Sequence, residues 1–277
     1  NDTTNGALYW IDNQLGSRAL GNTESMTVQR GGQSLTFDLK GAVVTVPSKA
    51  AQAERIEVDG QAFTQVRIQN LDWTKLPNWF DHLKLADDEN VLLDLRDCSG
   101  DDPEVMARLA LRMLENGHVL TYNRRQDTTT EVINYVVGDV NGGTALVVAR
   151  GNSVSTVDSV KTRKLTGKVV VLVDEATSGT AEALATALKS NRLATVVGRS
   201  TAGRNRLVVT TTFVVEQEQL FVQVPALTVL NSGSPAQPIK PDRAASSGDL
   251  LASAHAQMLA KSEVPNSALV WILLVVV

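Results

Sequence analysis

Apolar and polar residues alternate through ESMTVQRGGQSLTFDLKGAVVTVP (24–47), on both sides of Gly31 and Gly32. A period of two around a glycine pair predicts a β-hairpin. Residues 47–54 are polar and alanine-rich and read as a linker, and alternation resumes in a strand at 65–69. Residues 72–85 place Leu76, Trp79, Phe80 and Leu83 on one helical face, with Pro77 near its start. The run at 91–95 is almost continuously apolar, which predicts a strand buried on both faces. A helix is expected from Pro103, since proline is favoured in the first turn. Val105, Met106, Leu109, Ala110, Met113 and Leu114 form its core-facing stripe, and Gly117 stands where a C-cap belongs. Residues 121–163 hold weak strands (VINYVVG, ALVVAR) between polar turns. A strand at Val169–Val173, a helix at 181–190 and a strand at 194–197 follow. Two β-like runs, LVVTTTFVV and LFVQVPALTVL, flank EQEQ within 207–230. No internal repeat or phosphate loop is visible.

Strand and helix alternate from 91 to 197, so the fold class is α/β. The pattern alone does not choose among the arrangements of such a core. At 277 residues the chain suits one large or two modest domains. A net charge of −4 with both signs well mixed, and only 4% aromatic residues, argue against nucleic acid or an anionic membrane as partner. Cys98 is the single cysteine, so no intrachain disulfide can form. His82, His118 and His255 make no pair with metal-ligand spacing. Cys98 therefore reads as a small apolar loop residue, and neither a metal nor a cofactor is expected. NDTTNGALYW has no basic region followed by an apolar stretch, so it does not read as a signal peptide. The final ten residues, ALVWILLVVV, fall short of the ~20 needed to span a membrane. They suit a docked last strand, with an exposed apolar tail as the alternative.

The candidate chemistry lies in VVVLVDEATSGTAEALATALKSNRLATVVGRSTAGR (169–204). Here a hydrophobic strand enters a turn carrying Thr177, Ser178, Gly179 and Thr180, and a helix follows. A hydroxyl on such a turn lies beside the unpaired N–H groups of a helix start. A nucleophile and an oxyanion hole can be built there, and the same residue types also serve as plain N-caps.

This stretch resembles the nucleophile region of the C-terminal processing peptidases, or tail-specific proteases, which use a serine/lysine dyad. Their pattern is a strand, then N-E-G-S-A-S-A-S-E, an alanine-rich helix, R-A-x-V-V-G-E and T-F-G-K-G. Three further landmarks follow the family order. FTQVRIQNL (63–71) resembles G-Y-I-R-I-x-S-F. VLLDLRDCSGDD (91–102) resembles L-I-L-D-L-R-N-N-P-G-G. PAQPIKPDR (235–243), with DLLASAHAQML after it, resembles the closing I-x-P-D-V and its helix. The resemblance implies a crotonase-like protease core over 55–260 and a partial PDZ-like β module over 1–47, in which 24–47 resembles the last two strands of a PDZ domain and YWIDNQ (9–14) the I-D-G-Q strand before them. A plain hairpin docked on the core is the alternative for that module. Residues 261–277 are left as a C-terminal apolar tail. The implied function is a serine-type peptidase cleaving polypeptides near apolar C-termini, without metal or cofactor. The implied compartment is periplasmic, extracytoplasmic or plastid lumen.

Residue by residue, the resemblance is less complete. Aligning Glu182 with the family's glutamate puts Gly179 at the nucleophile position and Arg204 at the base position. Glycine carries no nucleophile, and arginine stays protonated below pH ~12. Ser178, one residue early, is the remaining hydroxyl for the role. Gly100 matches the first glycine of the oxyanion loop, Asp101 replaces the second, and Gly179 offers the other N–H. Lys189 and Lys168 are the alternative bases, and both are expected far from Ser178. Three readings follow: an impaired peptidase, a non-enzymatic binder of extended peptides or protein C-termini, and a crotonase-like acyl-CoA enzyme, which lacks these landmarks.

Overall fold

The computed structural model describes residues 23–30, 33–40, 50–126, 129–140, 142–161, 165–215, 218–231, 233–245 and 249–260. Strands β1 (Thr23–Arg30) and β2 (Gln33–Lys40) form the expected hairpin, in register from Thr23 opposite Lys40 to Arg30 opposite Gln33. The expectations for residues 9–14 and for the tail at 261–277 fall outside the described residues.

A six-stranded sheet carries the core. Its strands are β3 (Ala51–Val58), β4 (Gln61–Ile68), β5 (Val91–Asp94), β10 (Val169–Val173), β11 (Ala194–Gly198) and β15 (Arg243–Ala244), in the order β15-β11-β10-β5-β4-β3. All pairings are parallel except β3 with β4. Strands 91–94 and 169–173 are neighbours, with Val91 beside Val169. Alternate residues of β5 and β10 enter two different packing layers. Val91, Leu93, Val169, Val171 and Val173 pack with helices α2 (Pro103–Leu111) and α3 (Thr180–Ser190). Leu92, Val170 and Leu172 pack with Ala254 and Met258 of α4 (Leu250–Leu259). Burial on both faces is why these strands have no polar alternation. Helix α1 (Leu76–His82) sets Leu76 and Phe80 into the larger layer.

Residues 51–54, read as linker, belong to β3. This strand is at the sheet edge and carries Glu54, Arg55 and Glu57, with most of its positions exposed. A charged edge needs no apolar alternation, so the pattern hides it.

A second, antiparallel sheet covers the far side of α2 and α3. Its strands β6 (Gly117–Gln126), β7 (Thr129–Val140), β8 (Gly143–Arg150), β9 (Ser153–Val160), β12 (Arg206–Val215) and β13 (Glu218–Asn231) run in the order β12-β13-β6-β7-β8-β9, and β14 (Ser234–Pro235) adds to β13. Tyr122, Ile133, Tyr135, Val137, Leu146 and Val148 join the larger core layer.

Gly117 does not cap α2. The helix ends at Leu111 with Arg112 as its C-cap residue, and Gly117 instead opens β6 at φ 126°. A Cβ there would sit 1.8 Å from Asn191 Oδ1. Asn191 Nδ2 donates to the carbonyls of His118 (2.7 Å) and Ala187 (2.8 Å), tying the end of α3 to β6. Gly117→Ala adds both the clash and an unfavourable φ, and should cost about 2–3 kcal/mol in chemical denaturation. A loss under about 0.5 kcal/mol would show that the Asn191 bridge yields freely.

Candidate active site

Three loops at the C-terminal ends of β5, β10 and β11 meet over the start of α3, the usual place for functional groups in a parallel sheet. Backbone hydrogen bonds join the first two: Ser178 N–H donates to the Cys98 carbonyl (3.0 Å) and Thr180 N–H to the Gly100 carbonyl (2.9 Å). The buried Thr177 hydroxyl donates to the Leu95 carbonyl (2.8 Å). Asp174 Oδ1 accepts from the N–H groups of Thr177 (2.9 Å), Ala176 (3.1 Å) and Asp97 (3.2 Å). These bonds force a sharp strand-to-helix turn, and Gly179 sits at its apex as the N-cap of α3, at φ 63° and ψ −125°. A turn of this kind lifts a side chain clear of the sheet in many hydrolases.

Here the side chain is missing and its space is filled. A Cβ built on Gly179 would lie 2.2 Å from the Gly100 carbonyl oxygen, 2.5 Å from Arg204 Nη2 and 3.1 Å from Arg204 Cζ. The guanidinium therefore stands where a side chain of residue 179 would project. Arg204 Nη1 donates to Asp101 Oδ1 (2.7 Å) and Nη2 donates to the Gly100 carbonyl (3.1 Å). Asp101 Oδ1 also accepts from the Val208 N–H (2.9 Å). Burial pushes the Asp101 carboxyl above its ordinary range, and Arg204 pulls it back.

Glu182 holds the assembly from below. Its Oε1 accepts from the Thr201 hydroxyl and the Gly203 N–H (2.7 Å), and its Oε2 accepts from the N–H groups of Arg204 (2.9 Å) and Gly179 (3.1 Å). Burial pushes this carboxyl up, with the four donors opposing. The Thr201 hydroxyl also accepts from the Ile239 N–H (2.9 Å), so the segment 235–243 fixes the loop that carries Arg204.

A groove whose lining includes Gly179 and Arg204 lies beside this turn. It runs between Ala183 and Ala187 of α3 on one side and Leu120 and Val229 on the other.

The sequence model of peptidase family S41 matches residues 63–245. The chain belongs to peptidase family S41. Solved structures with the same fold include the photosystem II D1 C-terminal processing protease, at 16% identity and a TM-score of 0.53, with 82% of this chain and 56% of that one covered. An S41 protease candidate from Bacteroides fragilis aligns at 16% identity and TM-score 0.51, covering 80% and 58%. Mature CPAF aligns at 11% identity and TM-score 0.51, covering 88% and 67%. The chain thus spans little over half the length of the first of these. No curated protein matches the chain.

The S41 chain brings Gly179 and Arg204 into contact, together with Gly100 and Asp101. It gives the two glycines partners other than those the sequence suggested. The Gly179 N–H, expected as an oxyanion donor, is taken by Glu182. Gly100 turns its carbonyl, not its N–H, toward Gly179, because that carbonyl is held by Thr180 and Arg204. Ser178 is adjacent in the chain but is not on the groove wall. It is 8% exposed. Lys189 Nζ pairs with Asp242 (2.8 Å) and donates to the Lys240 carbonyl (2.9 Å). Lys168 Nζ donates to the carbonyls of Met258 (3.3 Å) and Ala260, at the end of α4. Neither lysine is placed to serve Ser178. Cys98 is fully buried, and its thiol is pushed well up by desolvation, which suppresses the thiolate a nucleophile needs. Sequence reading missed the fourfold role of Glu182 and the Asp101–Arg204 pair. The pair joins residues 103 positions apart, and no local pattern signals it.

Proposed function

We propose that this S41 family member binds polypeptide in the groove beside Gly179 and does not hydrolyse it by the serine/lysine chemistry of the family. One observation carries the reading: the Arg204 guanidinium fills the volume into which a nucleophile on residue 179 would project. A permanently charged guanidinium cannot take a proton at neutral pH, and its partner Asp101 places a second charge beside the carbonyl-binding region. The groove itself remains, with apolar residues (Leu120, Ala183, Ala187, Val229) and polar ones (Asn205, Asn231) on its walls, a mixture that can take side chains and peptide groups alike. We propose the crotonase-like arrangement for residues 55–260 and a PDZ-derived origin for 1–47 on the resemblance alone. Residues 261–277 are proposed as a separate apolar tail on the same ground.

The test uses a fluorophosphonate label together with the fluorescence anisotropy of a labelled, alanine- and leucine-rich peptide. The expected result is no labelling, saturable peptide binding, and loss of binding in Ala187→Trp, which fills the groove. Ser178→Ala should change neither readout. Labelling that disappears in Ser178→Ala would make this chain an active serine hydrolase with a displaced nucleophile. Absence of peptide binding would remove the groove from the proposal.

A further inference from the structure

The antiparallel sheet gives one side to the core and leaves the other open. On the inner side Ile133, Tyr135, Val137, Leu146 and Val148 are no more than 2% exposed and join the layer that holds α2 and α3. The residues between them turn to the outer side. Among the described residues no helix packs extensively there. Val132 of β7 is 52% exposed, Val140 39%, and Val154 of β9 68%. Val136 of β7 and Val147 and Ala149 of β8 are half-buried by their neighbours in the sheet.

These positions form one block in register. Asn134 pairs with Thr121 of β6 and with Ala149, and Ala149 pairs with Val154. Val136 pairs with Val147, and Val147 with Thr156 of β9. Asn123 of β6 lies beside Val132. The shifts in these pairings, between His118 and Leu120 and between Leu146 and Val147, fall at the border of the block and not within it. A solvated sheet side normally carries polar and charged residues. This one has valine, alanine, threonine and asparagine and no charge; Arg125, farther along β6, marks its border. The Thr121 hydroxyl donates to Asn134 Oδ1 (3.0 Å) and is bonded to His118 Nε2 (2.8 Å). The polar pair at the centre of the block thus has partners within the sheet and can lose water at little cost.

We propose that this outer face of β6 to β9 is a dimer interface, covered by the same face of a second copy. Charge and area both favour that occupant. In a twofold contact the face meets itself, so any charge on it would be buried against its like; a face without charge avoids that cost. Four strands about 4.8 Å apart over a length of about 24 Å cover about 450 Å² in projection. Measured over the standing side chains, two such faces hide about 1,000 Å², where specific interfaces begin. An exposed apolar patch of this size commonly marks a contact surface. The two sheets would pack about 10 Å apart with valines interdigitating.

The full chain is to be examined by sedimentation velocity from about 1 to about 100 µM, a range that brackets a micromolar Kd. A monomer–dimer equilibrium with no larger species is expected, because a patch that pairs with itself closes the assembly. Val132→Lys and Val154→Lys change exposed positions and should each weaken the dimer at least about tenfold, with circular dichroism showing that the fold is kept. Should either lose its fold, Thr156→Lys, exposed on the same face, takes its place. Phe37→Lys, at another exposed apolar position on β2, should leave the dimer intact. A wild-type monomer at the highest concentration would assign the face to another occupant and overturn the proposal. So would a dimer that survives the lysines on this face, or one that Phe37→Lys weakens equally.

Discussion

Replacing Gly179 with serine and Arg204 with lysine in one chain is expected to produce peptide hydrolysis that neither change produces alone. Gly179→Ser by itself must fail, because its Cβ would lie 2.5 Å from Arg204 Nη2 and 2.2 Å from the Gly100 carbonyl oxygen. That variant should fold less stably and remain inactive. Arg204→Lys by itself supplies a base with nothing to deprotonate. Together the changes are coupled through one atom. The Gly100 carbonyl is held by Thr180 N–H and by Arg204 Nη2, and losing the guanidinium removes one of those restraints and lets the carbonyl retreat. A desolvated lysine can lose its proton more readily than any arginine, although the nearby Asp101 carboxylate works against that loss. A positioned base contributes ~10²-fold or more, so the paired variant should exceed wild type by at least about a hundredfold on a fluorogenic, apolar peptide. A nucleophile and its base act as a unit, so the gain should be strongly non-additive. Equal activity in the paired variant and in Gly179→Ser would show that Arg204 is not the obstacle.

Glu182→Gln is expected to lower the melting temperature by about 10 °C, from a loss of about 3–5 kcal/mol. The buried carboxylate accepts from four donors. An amide presents one accepting oxygen, and even with its NH₂ turned to the Thr201 hydroxyl it would face the Gly203 N–H, which then loses its partner. The pH dependence distinguishes this from ordinary loss of packing. Burial raises the Glu182 carboxyl above its reference value of 4.5. A raised carboxyl contributes most to stability below its unfolded pKa, and that contribution is lost as pH rises through the folded pKa. Wild type should therefore lose part of its stability as pH climbs from about 4.5, and Glu182→Gln should flatten this decline while starting lower. A parallel decline in both proteins would assign the pH dependence to another group, with Asp101 the first candidate since burial raises it too.

The strands that run through the centre were legible because burial on both faces leaves no room for polar residues: 91–94 and 169–173 read as continuous apolar runs. The hairpin around residues 31–32 was legible because its alternation is local. The α2 stripe was read correctly, and its C-terminus was not. Gly117 is explained by Asn191, far along the chain, and a helix stop can only be read from neighbours. Strand β3 escaped because its exposed edge is charged, and such a segment looks like a linker until its partner β4 is known.

At the site, the sequence by itself determined which residue types stand at 179 and 204, glycine and arginine, the positions that the resemblance aligns with the family's nucleophile and base. It determined the strand-to-helix turn, since a hydrophobic run, a hydroxyl-rich turn and an alanine-rich helix are consecutive. The tertiary structure alone decided where the polar groups point. Only the packing of three loops shows that the Gly179 N–H belongs to Glu182, that Gly100 offers a carbonyl, and that Arg204 is held by Asp101. The physical reason is one of range. Propensity and periodicity are properties of a few consecutive residues, whereas a hydrogen bond is fixed to within tenths of an ångström by chain segments that meet only after the sheet has assembled.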